Sequence, residues 1–540
     1  MSSLKHVEHC ISRQLAHKKL NAFVSLPEAE ALRSAAQRVG SYAKQGPLSG
    51  RLISLKDNIA SPASCKEPTT CASLALRGYV SPYPSTVSTL LERAGAIVAG
   101  KTNMDEFGMG SHSQSARSGA VRNHLRKSAT SEALSAGGSS GGSAVAVATG
   151  QCWAALGTDT GGSVRLPAAW TGTVGFKPSY GRLSRWGVVD YANSLDAVGL
   201  ITSTVSDATG IYQALNKYDS RDPTSLPEST RSKLKSVAGL GEAARSHLRI
   251  GVPSEYNVQG MEPEVKTAWI RALEKLQERG HELVQISLPS TSLALSAYYV
   301  LAPAEASSNL ARYDGIRYGH RSAGADAVTS TKPHAEDEQA VLFAKTRGAA
   351  FGPEVQRRIL LGTYTLSSSA YDNYFLQAQR VRRLVQHEFS GAFAAPNALV
   401  DARESKVNKH PHADGASDQA ARNGGVDVII VPTAPTLPPT LSEVSKQSAV
   451  EKYIGDVFTV PASLAGLPAL NVPVPIGGKQ RGLQDEFREV EEEVSTVGMQ
   501  VIGQFGQDEM VLGVGKLVER IFQGGTGDAA EDVERIIAKE

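Results

Sequence analysis

Residues 137–163 read GGSSGGSAVAVATGQCWAALGTDTGGS. Two glycine-serine clusters, Gly137 to Ser143 and Gly157 to Ser163, flank a small-residue run, Ala144 to Gly150, and a short apolar run, Trp153 to Leu156. Glycine loses more conformational entropy on folding than any other residue, so stability alone does not account for glycine at this density. Something must need the backbone close. The apolar run has the length of a buried strand.

Working outward, Leu52 to Leu55, Ala96 to Ala99, Leu248 to Val252, Val426 to Val431 and Leu467 to Val474 read as further buried strands. Pro263 to Arg279 and Ser369 to Phe389 carry apolar residues at three and four spacing, as helices do. Strands alternating with helices predict an α/β layered fold around a mostly buried sheet. Three polar stretches interrupt it, at about 122–135, 403–425 and 477–495, and read as surface insertions.

The 540 residues are 41% hydrophobic and 20% charged, enough to bury a large core. With 56 basic and 54 acidic side chains the formal charge is +2, so no whole-chain field favours nucleic acid, membrane or acidic ligands. Cys10, Cys65, Cys71 and Cys152 form no Cys-x-x-Cys pair and lie in no cluster of zinc spacing, which predicts reduced thiols and no metal site. No apolar run approaches the eighteen or so residues that a membrane span needs, and no membrane contact is expected.

Two chemistries use such glycine-rich backbone: phosphate cradling and acyl transfer at a backbone oxyanion hole. The first requires Gly-x-x-x-x-Gly-Lys-Ser/Thr, or Gly-x-Gly-x-x-Gly after a strand with a downstream acid, and neither occurs here. In the second, Ser163 attacks a carbonyl while the N–H groups of Thr160, Gly161, Gly162 and Ser163 face the developing oxyanion. Losing one such donor costs about 3 kcal/mol in a comparable site. A serine hydroxyl needs a base. The nearby histidines, His112 and His124, sit in no setting that suggests a triad, whereas Lys56 ends the apolar run Leu52 to Leu55. Desolvation there lowers a lysine from its ordinary pKa of about 10.4; a drop of three units costs roughly 4 kcal/mol and needs a hydrogen-bonding partner. Ser139 is the candidate partner, relaying the proton between Lys56 and Ser163. Singly, each residue has a bland alternative, because most lysines are solvated and most Gly-Ser clusters are linkers.

Taken together, Gly137 to Gly150, Ala155 to Ser184 and Leu55-Lys56-Asp57-Asn58 resemble the amidase signature family. The resemblance implies one large α/β domain over residues 1–540, with a twisted mixed central sheet surrounded by helices and a signature core at about 55–184. It implies a Ser, cis-Ser, Lys triad of Ser163, Ser139 and Lys56, with Thr160, Gly161 and Gly162 at the oxyanion. Similarity continues through Asn103 to Gly110, Ala306 to Gly319, Glu354 to Thr363 and Val431 to Thr436, where the chain resembles the A subunits of glutamyl-tRNA(Gln) amidotransferases. That narrower likeness implies hydrolysis of free glutamine through an acyl-enzyme, with ammonia passed to a B subunit, the tRNA-dependent transamidase. A small third subunit of C or F type completes such complexes. Glu-tRNA(Gln), ATP and magnesium are then handled mainly by the partner, and this chain carries no cofactor of its own.

Free glutamine presents a carboxylate and an ammonium, which a pocket must pair if it buries them. By resemblance Arg358 takes the carboxylate, Asp456 the ammonium, and Tyr298 lines the site; Arg357 is the alternative to Arg358. The alternative enzyme reading, a stand-alone amidase for small or aryl amides, shares Lys56, Ser139 and Ser163 without needing Arg358 and Asp456. The chain departs from its bacterial relatives in a shorter first helical region and in Ser111-His-Ser-Gln-Ser115, and its polar insertions resemble the mitochondrial branch. At the N-terminus Leu4, Val7, Ile11 and Leu15 recur at helical spacing beside Lys5, Arg13, Lys18 and Lys19. Two readings stand there: a targeting helix, which places the chain in the mitochondrial matrix, or an ordinary first helix, with residues 1–19 untargeted and the chain cytoplasmic.

Overall fold

The structure, a computed structural model, describes residues 3–41, 46–127, 132–239, 247–322, 343–399, 424–477 and 492–523. The strands among them are β1 (Phe23–Ser25), β2 (Leu52–Lys56), β3 (Ile97–Thr102), β4 (Leu125–Arg126), β5 (Ala154–Asp159), β6 (Val174–Lys177), β7 (Ala197–Thr202), β8 (Arg249–Pro253), β9 (Glu282–Ile286), β10 (Val428–Pro432), β11 (Ala469–Pro475), β12 (Glu492–Glu493) and β13 (Thr496–Ile502). Eleven of these form one sheet in the order β1-β3-β2-β5-β7-β6-β11-β13-β10-β8-β9.

The sheet is mixed. At one end β3, β2 and β5 run parallel, and at the other β10, β8 and β9 do; between β5 and β10 the neighbours are antiparallel. Parallel neighbours need a crossover. The helix Thr86–Arg93 lies between β2 and β3 in the chain, and the helix Pro263–Glu278 between β8 and β9. The central strands β2, β5, β6, β7 and β10 are buried along their whole length, which is why they read as near-continuous apolar runs.

Each of the six apolar runs read as a strand overlaps one, and in every case the strand extends past the end of the run. The helix Pro263–Glu278 matches its reading, but the other helix begins at Phe375 rather than Ser369. A helix from Pro353 closes at Thr365, and Ser367 then turns the chain: its hydroxyl donates to the Tyr364 carbonyl at 2.7 Å, and its carbonyl accepts from the Tyr371 N–H at 2.9 Å. Serine competes with helix propagation in this way.

The N-terminal segment is a packed helix, Ser3–Ala16, whose buried face is Val7, Cys10, Ile11 and Gln14. Leu15 is 73% exposed, so the contact stripe is rotated from the Leu4-Val7-Ile11-Leu15 reading. Two side-chain hydrogen bonds explain the rotation: Gln14 Nε2 donates to the Gln151 carbonyl at 3.0 Å and Arg13 Nε to the Thr149 carbonyl at 2.8 Å. The stretch 122–135 differs from its surface reading. Asn123, His124, Leu125, Leu134 and Ser135 are buried, and Asn123 Nδ2 donates to the carbonyls of Ser135 and Trp170. Most of 403–425 and 477–495 lies outside the described residues.

Candidate active site

Lys56 is the last residue of β2 and Asp159 the last of its parallel neighbour β5, so both chains leave the sheet at the same edge. Ser163 stands in the turn that joins β5 to the helix Arg165–Thr171, and Ser139 and Ser140 immediately precede the buried helix Gly141–Ala148. The three triad candidates therefore come from three separate elements. Lys56 is wholly buried, and its Nζ lies 2.7 Å from Ser139 Oγ, 2.8 Å from Ser140 Oγ and 3.3 Å from the Thr158 carbonyl. The Gly138–Ser139 peptide bond is cis. Ser140 N–H donates to the Ser163 carbonyl at 3.1 Å, tying the two serine turns together. Burial lowers Lys56 to about 7, against the pull of Asp105, Asp159 and Asp196 in the opposite direction.

The turn from Thr158 to Val164 is held from outside. Thr160 Oγ1 donates to Asp196 at 2.6 Å, Thr459 Oγ1 donates to the Gly161 carbonyl at 2.7 Å, and Val164 N–H donates to Asp159 Oδ2 at 3.2 Å. Gly161 is required by close approach: a Cβ there would sit 2.6 Å from Cζ of Tyr298. Tyr298, itself buried, thus forms a wall beside the proposed oxyanion donors.

Beneath this turn lies Arg165. Its guanidinium donates to both oxygens of Asp159 (2.9 and 3.0 Å), to Gln500 Oε1 (2.6 Å), to Ser463 Oγ (2.7 Å) and to the Thr459 carbonyl (2.9 Å). Both charges are fully buried. Burial pushes the Asp159 carboxyl up, but the attraction of Arg165 outweighs it and holds the group below the usual carboxylate range. Breaking a buried pair by removing one partner leaves an uncompensated charge. Arg165→Met is expected to destabilise the fold by about 3–5 kcal/mol, read as a lower urea midpoint. A change below about 1 kcal/mol would mean the network contributes little to the fold.

The substrate candidates Arg358 and Asp456 gather around Tyr299, the neighbour of Tyr298 in the chain. Arg358 is buried; its Nε donates to Glu354 at 2.8 Å and its Nη1 to the Tyr191 hydroxyl at 2.7 Å, while its buried Nη2 has no partner among the described residues. Tyr191, Tyr299 and Tyr453 surround the guanidinium at 5.3–5.9 Å. Arg357, by contrast, is half exposed and pairs with Glu354 at the surface. Asp456 is buried and accepts from Ser111 Oγ at 2.6 Å and Tyr299 OH at 3.1 Å; burial raises its carboxyl to about 7. A cation arriving here would pull that carboxyl back down.

Sequence reasoning missed Arg165, Tyr299, Tyr191 and Tyr453, and marked Ser111 only as part of a departure that alters the pocket wall. Tyr299 is adjacent to Tyr298, yet nothing in the pair says which ring faces the glycine turn and which reaches Asp456. Ser111 opens the Ser111 to Ser115 departure, and only folding brings it to a residue 345 positions away.

Residues 5–512 match the family model described as Amidase. A protein of Ajellomyces capsulatus, named as the mitochondrial A subunit of glutamyl-tRNA(Gln) amidotransferase, is 52% identical over 533 residues, covering 96% of this chain and 99% of that one. The protein of the same name from Tuber melanosporum is 45% identical, with 96% of each chain covered. Among solved structures, the A subunit of glutamyl-tRNA(Gln) amidotransferase from Thermotoga maritima aligns with a TM-score of 0.66 at 29% identity, covering 98% of this chain and 93% of that one.

Proposed function

The chain belongs to the amidase family, and from that premise we propose that it is the glutamine-hydrolysing subunit of an amidotransferase that converts misacylated Glu-tRNA(Gln) to Gln-tRNA(Gln). The observation that carries this reading is the presence around Tyr299, in one buried site near the Ser163 turn, of Arg358, whose Nη2 has no partner among the described residues, and of the Asp456 carboxyl. A simple amide needs neither charge. Free glutamine needs both.

In the neutral form of Lys56, two N–H groups serve Ser140 Oγ and the Thr158 carbonyl, and the lone pair accepts from the Ser139 hydroxyl. Ser139 in turn takes the proton of Ser163 as Ser163 Oγ attacks the side-chain carbonyl carbon of glutamine. The N–H groups of Thr160, Gly161, Gly162 and Ser163 receive the oxyanion. Its collapse breaks the C–N bond, the proton held on Lys56 returns through Ser139 to the leaving nitrogen, and ammonia departs. Water then cleaves the acyl-enzyme by the same relay run once more, releasing glutamate.

Ammonia passes to a B-type transamidase, where Glu-tRNA(Gln) is activated with ATP and magnesium, and a small subunit of C or F type completes the assembly. The complex works in the mitochondrial matrix, a reading supported by the mitochondrial names of the relatives. No helix among the described residues is long and apolar enough to cross a membrane.

The test is glutamate release from glutamine by the purified chain, alone and with its partner subunits, Glu-tRNA(Gln) and ATP. Asp456→Asn, which removes the ammonium's counter-charge, is expected to raise KM for glutamine about 30-fold or more while retaining turnover of a small aryl amide. If wild type ignores glutamine even with partners yet cleaves the small amide, the stand-alone amidase reading replaces this one.

A further inference from the structure

Asp105 lies in the loop after β3, outside the triad and the glutamine pocket, and is almost completely buried. Its N–H donates to the Ser139 carbonyl at 3.2 Å. Its carboxylate accepts three successive backbone N–H groups, Ser113 at 2.8 Å, Gln114 at 2.9 Å and Ser115 at 3.0 Å. Ser113, held this way, donates from Oγ to the Gly137 carbonyl at 2.8 Å and accepts at Oγ from Gly141 N–H at 2.9 Å. One hydroxyl thus pins both flanks of the turn that carries Ser139. Gly138 packs so closely that any Cβ there would collide with the Asp105 carboxylate.

We infer that Asp105 is the positioning residue of the proton relay, fixing the Ser139 turn through Ser113 and facing Lys56 with a carboxyl that has no ion pair among the described residues. This rests on the Ser163, Ser139, Lys56 reading.

The charge argument follows from what else faces Lys56: Asp159, Asp196 and Cys71, besides Asp105. Asp159 is paired with Arg165. Asp196 is bonded to Thr160 Oγ1 and the N–H groups of Tyr191 and Ala192, and the charge of Arg185 acts on it. Burial raises the Cys71 thiol well above its ordinary value, leaving it neutral. Asp105 is held by N–H and hydroxyl groups, Lys56 is the cation that acts on it, and among the carboxylates it acts on Lys56 most strongly. Its own carboxyl is raised by burial, opposed by the N–H groups of Ser115 and Ser113. The same Ser111–Ser115 loop reaches Asp456 through Ser111 Oγ, so it spans from the ammonium end of the pocket to the relay.

The experiment compares wild type, Asp105→Asn and Ser113→Ala in the assembled complex, with kcat and KM measured against pH for glutamine and for a small aryl amide. Rates are normalised to active sites counted by a serine-reactive phosphonate. Asp105→Asn is expected to lower kcat per site about 100-fold with KM changed less than about threefold, the scale of a misplaced catalytic group. Its acid limb should also move to lower pH, because the charge favouring protonated Lys56 is gone. Ser113→Ala is expected to lower kcat about 10-fold without moving that limb, as loss of positioning alone. A residue that only supports the fold would lower the number of titrated sites and leave both kcat per site and the limb in place; that result overturns the inference, as does a loss confined to KM. Should Asp105→Asn not fold, an unchanged kcat per site in Ser113→Ala overturns it and the expected loss supports it. Because the aryl amide reports the relay without the glutamine pocket, failure of the glutaminase reading leaves this comparison intact.

Discussion

Replacing Ser163 by alanine is expected to lower glutamate release by about 10⁴-fold or more, a loss of roughly 5.5 kcal/mol of transition-state stabilisation. The substitution removes one oxygen from a turn whose backbone is held by Thr160, Thr459 and the Ser140 N–H, none of which bonds to the Ser163 hydroxyl. Glutamine binding through Arg358 and Asp456 should therefore persist. The measurement is single-turnover glutamate release with acyl-enzyme trapping by hydroxylamine, beside glutamine binding by calorimetry. Retention of more than about 1% of the wild-type rate would mean that another group carries the attack.

Lys56→Met should cost about 10³-fold in kcat/KM, within the range for a positioned general base. Its protonation sets the acid limb. Lys56 titrates near 7 when folded, so the neutral amine, the working form, is lost as pH falls below that value. For a small aryl amide, kcat/KM should fall about tenfold per pH unit below pH 6, and a limb centred above pH 9 would overturn the assignment. Glutamine should show a steeper fall, because Asp456 also titrates near 7 and must be ionised to hold an ammonium. The two substrates thus separate the two groups.

Stability changes in the same direction, but over a higher pH window. Unfolded Lys56 binds a proton up to about pH 10.4, whereas the folded residue binds one only below about 7, so stability falls as pH drops through that window. The total is of order 4 kcal/mol and is already lost at pH 7. Lys56→Met removes that cost with a side chain of similar length. Its urea midpoint at pH 7 is expected to be no lower than wild type, a separation of activity from stability typical of a site kept at the expense of the fold.

Much of this was legible before folding, for local physical reasons. A strand buried on both faces must be apolar along its length, so β2, β5 and β10 announced themselves. Lysine at the end of such a strand is desolvated wherever the strand goes. Glycines beside Ser163 admit close neighbours whatever those neighbours are. The same locality explains the misreadings: helical spacing in Ser3–Ala16 gives a stripe, but only Gln14 and Arg13 finding carbonyls at Gln151 and Thr149 set its angle.

By itself, then, the sequence determined the strand and helix alternation and the nucleophile and base candidates, whereas the two charges suited to glutamine came only from the family resemblance. Tertiary structure alone decided that Ser140 joins Ser139 at Lys56, that Arg358 and not Arg357 is buried, that Arg165 underlies the Ser163 turn, and that Asp105 reaches the Ser139 turn through Ser113. The reason is distance along the chain. Lys56 and Ser139 lie 83 residues apart, Ser111 and Asp456 lie 345 apart, and such contacts leave no periodicity or spacing in the sequence, because their geometry exists only once the sheet has brought the loops to one edge.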